Sequence, residues 1–136
     1  MIQEKIGLQW VTIKMMPNEV GGMTTVLPED VADKMKVLLT EYNSIENKSF
    51  EDILEFHVKF EKIHPFQDGN GRVGRLIMFK ECLKYNIVPF IIEDTLKLFY
   101  YRGLKEWNNE RGYLRDTCLT AQDKYKAYLD YFRIEY

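Results

Sequence analysis

Residues 64–75 read HPFQDGNGRVGR, and this stretch constrains the chain more than any other. Just before it, Ile53, Phe56, Phe60 and Ile63 recur at spacings of three and four, the apolar stripe of an amphipathic helix. His64-Pro65 stops that helix, because a residue before proline avoids the helical region. Residues 67–71 form a turn, and a new helix starts at about residues 70–72 with Arg72 and Arg75 one turn apart. The backbone amides at such a start are unpaired and carry the positive end of the helix dipole. Gly69 and Gly71 let the backbone curl into an amide nest and let a ligand approach closely. The result is an anion site for which phosphate is the natural occupant. Arg72 and Arg75 supply forked hydrogen bonds to further oxygens. Asp68 is a carboxylate beside that cradle, where magnesium binds through a carboxylate and phosphate oxygens. His64 titrates near neutrality and is the candidate general base. Base, metal carboxylate, anion nest and two arginines together describe nucleotidyl or phosphoryl transfer.

The remaining pattern is helical. Pro28, Glu29 and Asp30 suit a helix start, and Val31, Met35, Leu38, Leu39 and Tyr42 carry it to about Asn43. Ser49 followed by Asp52 resembles a capping arrangement ahead of the second helix. Val73, Leu76, Ile77, Phe79, Leu83 and Tyr85 mark the third helix, residues 95–108 a fourth and residues 114–132 a fifth. Val11-Thr12-Ile13 and Thr24-Thr25-Val26 flank Pro17-Asn18 and Gly21-Gly22, which predicts a hairpin near residues 10–27. The expected architecture is all-α with one small hairpin near its start. There is no internal repeat or linker, and 136 residues make one domain, residues 1–136.

Composition removes whole classes of function. A net charge of −2 argues against a nucleic-acid binder, which needs a basic face. No apolar run approaches the roughly 20 residues that cross a bilayer, so a membrane is not expected as partner. MIQEKIGLQW lacks the apolar core of a signal peptide. Cys82 and Cys118 fall in no metal or redox spacing and read as packing residues, which fits a cytoplasmic protein with free thiols.

Residues 64–75 also resemble a known family. They match the signature of Fic-domain proteins, H-P-F-x-(D/E)-G-N-G-R-x-x-R, at every fixed position. The related Doc proteins end the motif differently, with Asn-Lys-Arg, so Asn70-Gly71-Arg72 points to the transferase branch. The resemblance implies a Fic-type helical core with a β-hairpin flap, and a protein adenylyltransferase that moves AMP from Mg-ATP to a Tyr, Thr or Ser hydroxyl of a target protein. It implies that His64 deprotonates that hydroxyl and that Asp68 holds Mg2+. Gly69, Asn70 and Gly71 would line the anion hole, Arg72 would bind phosphates, and Arg75 would hold the γ-phosphate. Phe66 would plug into the core. Tyr100, Tyr101 and Asn108 would surround the adenine. The flap, with Gly21, Gly22, Met23 and Thr24 in its tip and outer strand, would dock the target segment by strand addition.

Each assignment has a plainer counterpart. His57 lies on the face of His64 and reads as a packing or structural hydrogen-bonding residue. Tyr100 and Tyr101 point about 100° apart on a helix, so one of them can be core. Gly21-Gly22 can be only a turn. The same site would also serve de-adenylylation or transfer of another phosphate-containing group, and a non-enzymatic nucleotide-binding or toxin-partner module is the reading from another class. Many Fic proteins carry an inhibitory helix, S/T-x-x-x-E-G/N, whose glutamate pairs with the second motif arginine. No such match occurs in residues 1–136. A short natural form, a fragment and an inhibitory partner all fit that pattern, and an uninhibited chain is expected. A homodimer is a separate expectation for the partners of this chain.

Overall fold

In the computed structural model Ser49 and Asp52 close a capping box at the start of α2 (Phe50–Ile63): the Asp52 amide donates to Ser49 Oγ at 3.1 Å and the Ser49 amide donates to Asp52 Oδ2 at 2.8 Å. The structure describes the backbone at residues 3–6 and 9–136 and the side chains from Ile13 onward. The helix α2 is the centre of the fold. It packs between α1 (Val31–Asn43) and α3 (Asn70–Lys84) and also touches α5 (Gly112–Tyr131), which pairs with α4 (Lys97–Glu106). Short 3-10 turns, Pro28–Asp30 and Asp94–Leu96, lead into α1 and α4.

The central position of α2 has a consequence that its stripe did not foretell. Ile53, Leu54 and Val58 enter a core cluster with Met78, Cys82, Tyr100, Leu104, Trp107, Leu114 and Cys118. Phe56, Phe60 and Ile63 enter a second cluster with Val31, Leu38 and Tyr42. Both sides of the helix are therefore buried, and His57 and Glu61 are buried with them at 1% exposure each. The helix α3 departs further from its expected stripe. Val73, Leu76 and Leu83 face solvent, while Asn70, Gly74, Met78, Glu81 and Cys82 are buried. Its apolar residues are spread around the axis, and small residues rather than large ones let it lie close to α2.

The hairpin expected over residues 10–27 is narrower and differently paired. Glu19–Val20 (β3) pairs antiparallel with Met23–Thr24 (β4) around Gly21 and Gly22. Both glycines have positive φ, +52° and +79°, as a two-residue primed turn requires. Upstream, Gln9–Thr12 (β2) pairs with Gln3–Ile6 (β1) instead of with residues 24–26, with Gln3 opposite Thr12. Ile13 then bridges to Phe66. The extended run thus meets the motif loop at Ile13, and of the expected hairpin the four residues of β3 and β4 pair with each other.

The helices α4 and α5 cross so closely at Gly103 that an added Cβ would lie 2.6 Å from Leu114 Cα. The neighbour is backbone and cannot swing aside. Gly103→Ala is expected to cost about 2–3 kcal/mol of stability through overpacking, measured by urea denaturation. Unchanged stability would show that the two helices separate freely.

Candidate active site

The site begins where α2 ends. His64 caps that helix in the left-handed region, φ 50° and ψ 62°, a conformation that costs a non-glycine residue about 1–3 kcal/mol. The last carbonyls of a helix have no partner within it. Here every carbonyl from residue 62 to residue 66 is received from outside. Val26 N–H donates to Lys62 O at 3.2 Å and Lys14 N–H to Pro65 O at 2.8 Å. Lys14 Nζ donates to Ile63 O at 3.1 Å. Asn18 Nδ2 donates to Phe66 O at 2.9 Å and reaches His64 O at 3.4 Å. The segment around the hairpin therefore holds the strained histidine in place.

Asn70 shapes the turn that follows. Its Oδ1 accepts from Phe66 N–H at 2.8 Å and its Nδ2 donates to Phe66 O at 2.7 Å, so both ends of its buried side chain are spent on the loop. Phe66 packs into the second core cluster. Gly69, at φ +80°, is the N-cap of α3 and brings no capping side chain, so the first amides of that helix stay available. No acidic residue occupies its first turn. Asp68 is exposed beside it and accepts the Gly69 N–H at 2.8 Å. A Cβ on Gly71 would lie 2.8 Å from Arg75 Nη1, so the missing side chain is the space in which that guanidinium sits.

One cleft of about 440 Å³ gathers these groups. His64, Asp68, Gly69, Asn70, Gly71, Arg72 and Arg75 line it, with Gly21 from the hairpin turn and Tyr100 and Tyr101 from α4. The two tyrosines differ. Tyr100 is a core residue at 1% exposure, with its hydroxyl 2.5 Å from His57 Nε2. Tyr101 is half-buried under Gly21, whose Cβ would sit 2.9 Å from the ring. Asn108 is exposed in the turn after α4 and outside the cleft lining. Gly22, Met23 and Thr24 do not line it either; Met23 packs on the core and Thr24 faces solvent.

Two charged residues that the motif did not signal dominate the electrostatics. Lys14 is 2% exposed and pairs with no carboxylate among the described residues. Its ammonium donates to Asn18 Oδ1 at 2.7 Å, Thr25 Oγ1 at 2.9 Å and Ile63 O at 3.1 Å, which uses its three protons. Burial lowers the lysine's pKa. Burial first, then the Lys14 charge, lowers the pKa of His64, while the backbone of Glu61 pulls the other way. The net effect keeps the imidazole neutral at pH 7 and able to take a proton. Glu61, three residues before His64, lies in the cleft wall with its pKa raised by burial to about 7, the Arg75 charge opposing. The histidine expected to be structural is so: burial holds His57 at about 4, neutral against Tyr100. An alternation of polar and apolar residues could have pointed to neither Lys14 nor Glu61, since each occupies a position that looks solvent-facing until the partner segment arrives.

Lys14→Met keeps the stem and removes the three donors. It is expected to cost about 2–4 kcal/mol, because buried acceptors are left unpaired. Hydrogen exchange at Val26 should accelerate together with the loss of stability in urea. If both stay unchanged, Lys14 is not what ties the hairpin segment to α2.

Comparisons with known proteins agree with this geometry. The model of the Fic/DOC family matches residues 3–82. Protein adenylyltransferase fic-1 of Caenorhabditis elegans is 31% identical over 88 residues, 62% of this chain and 17% of the relative. Protein adenylyltransferase Fic of Drosophila mojavensis is 35% identical over 89 residues, 63% of this chain and 18% of the relative. The matched stretch is thus under a fifth of the length of these relatives. With the family model covering more than half of the chain, and with the motif loop, the helix start and the hairpin set around one cleft, this protein belongs to the Fic/DOC family.

Proposed function

We propose that this chain is a protein adenylyltransferase that transfers AMP from Mg-ATP to a Tyr, Thr or Ser hydroxyl of a target protein. The observation that carries the reading is the convergence of a neutral histidine, an uncapped helix start and two arginines on one cleft. The names of the relatives support it. The target oxygen attacks the α-phosphorus, a new oxygen–phosphorus bond forms, and the bond to the β-phosphate oxygen breaks. Pyrophosphate leaves and the hydroxyl proton passes to His64. The amides opening α3 and Arg72 receive phosphate oxygens, and Arg75, one turn on, reaches the γ-phosphate. Tyr101 and Gly21 bound the side of the cleft where the base would lie, and the β3–β4 hairpin would dock the target by strand addition.

Magnesium fits the residues present. Among the described residues no three His, Cys, Asp or Glu side chains could cage a metal. A single carboxylate beside phosphate oxygens is how magnesium accompanies nucleotides. Asp68 has that place, exposed next to the start of α3, and would hold the ion. When bound, the ion neutralises phosphate charge. No helix among the described residues is long and apolar enough to cross a membrane. We place the reaction in the cytoplasm, where ATP and two free cysteines coexist.

Incubation with ATP labelled at the α- or the γ-phosphate tests the reading. Label from the α-position on protein is the expected result. Label from the γ-position alone means a kinase, and ATP binding with no labelled protein means a binding module. His64→Ala should lower the rate by about two to four orders of magnitude and leave ATP affinity intact. Full activity in that variant would refute the assignment of the base. Arg75→Ala should weaken ATP binding more than ADP binding, by isothermal titration. An equal loss for both nucleotides would remove its γ-phosphate role.

A further inference from the structure

Inside the cleft wall the side chains of His64 and Glu61 lie side by side, each with a buried polar atom that has no hydrogen-bond partner. His64 Nδ1 is fully buried and has no hydrogen-bond partner. Glu61 Oε1 is in the same condition, and Glu61 Oε2 lies 3.8 Å from that nitrogen. We propose that Glu61 is the positioning residue of His64: its carboxylate receives the Nδ1 proton of the imidazole and so leaves Nε2 unprotonated as the base. The inference rests on the reading of His64 as the base.

Three features support it. The separation is about 1 Å longer than a hydrogen bond, and such bonds are long before substrate binds and tighten in the reacting complex. Glycine at residue 74 leaves the carboxylate in this place: a Cβ there would clash with Glu61 Oε1 and meet Phe60 at 3.0 Å. The charges around the ring also call for an anion. Lys14 faces His64 from the segment after β2, with its protons already committed. When His64 takes the substrate proton, two cations would stand together in a buried place, and an ionised Glu61 offsets the second. Arg75 from α3 and Tyr100 from α4 face Glu61, and Arg75 favours its ionised form without forming an ion pair within 4.0 Å. The backbone carbonyl of Glu61 also faces the ring, but it is neutral and cannot balance the imidazolium.

The chain has two histidines, and burial holds His57 at about 4, so 15N NMR with the two rings assigned follows His64 by itself. The wild-type His64 should show the Nδ1–H tautomer above its pKa. In Glu61→Gln, which keeps the size and removes the charge, the pKa of His64 should fall by at least half a unit. Glu61→Asp should restore part of that fall. The rate of α-label transfer in Glu61→Gln should drop about 10- to 100-fold, the size typical of losing an outer partner of a functional histidine, with KM for ATP within about twofold. An Nε2–H tautomer in the wild type overturns the proposal without any variant. An unchanged His64 pKa in Glu61→Gln also overturns it. So does a raised KM with kcat intact, which would make Glu61 a partner of Arg75. The NMR arm needs no ATP: a tautomer and pKa that respond as stated, in a wild type that labels no protein, would sink the proposed transfer and leave the pair standing.

Discussion

Everything at the site hangs on the backbone carbonyls released where α2 stops. A helix that ended in solvent would leave them to water and leave His64 free to relax. Here Val26, Lys14, Asn18 and Asn70 receive them in turn, and the left-handed conformation of His64 is held by hydrogen bonds on both sides of it. Because Lys14, Asn18 and Val26 come from the segment that carries β3 and β4, their bonds place the hairpin turn over the cleft. The position of the base and the position of the hairpin are one structural fact.

The rest of the geometry follows from what the turn omits. Gly69 takes a backbone conformation that leaves the start of α3 uncapped, Gly71 makes space for the Arg75 guanidinium, and Gly74 makes space for Glu61. Each absent side chain is replaced by a charged group or a free amide aimed at the cleft. Beside the free amides and the Arg75 guanidinium the protein sets a neutral imidazole, kept so by burial and by Lys14. A base that was already protonated at pH 7 would add to the cationic field but could not accept a proton.

Much of this was legible in the sequence. Spacings of three and four marked the helices, Ser49 and Asp52 marked the start of α2, and residues 64–75 announced the anion site. What stayed hidden depends on long-range packing. One apolar stripe could not show that α2 is enclosed on both sides, since His57 and Glu61 look polar and only the arrival of α4 and α3 buries them. On α3 the large residues Val73 and Leu76 mark the helix but face solvent, while Gly74 and Met78 are buried. The β-leaning run before the hairpin gave no clue that residues 9–12 pair with residues 3–6, nor that Ile13 bridges to Phe66, a contact set by the fold of the loop. Asn108 lies in the turn after α4, exposed and outside the cleft lining, a placement that depends on where α4 ends. Glu61 carries no inhibitory motif and was hidden for the same reason: it stands in the field of Arg75 only because α2 and α3 pack together.

The central claim is that the start of α3, between the base and the arginines, is a triphosphate cradle. The most direct test is a titration of 15N-labelled protein with Mg-ATP, following the backbone amides of Gly69, Gly71 and Arg72. The account predicts large, saturable shifts at these amides with ATP and none with adenosine. Shifts of equal size with adenosine, or ATP binding that leaves these amides unmoved, would contradict it.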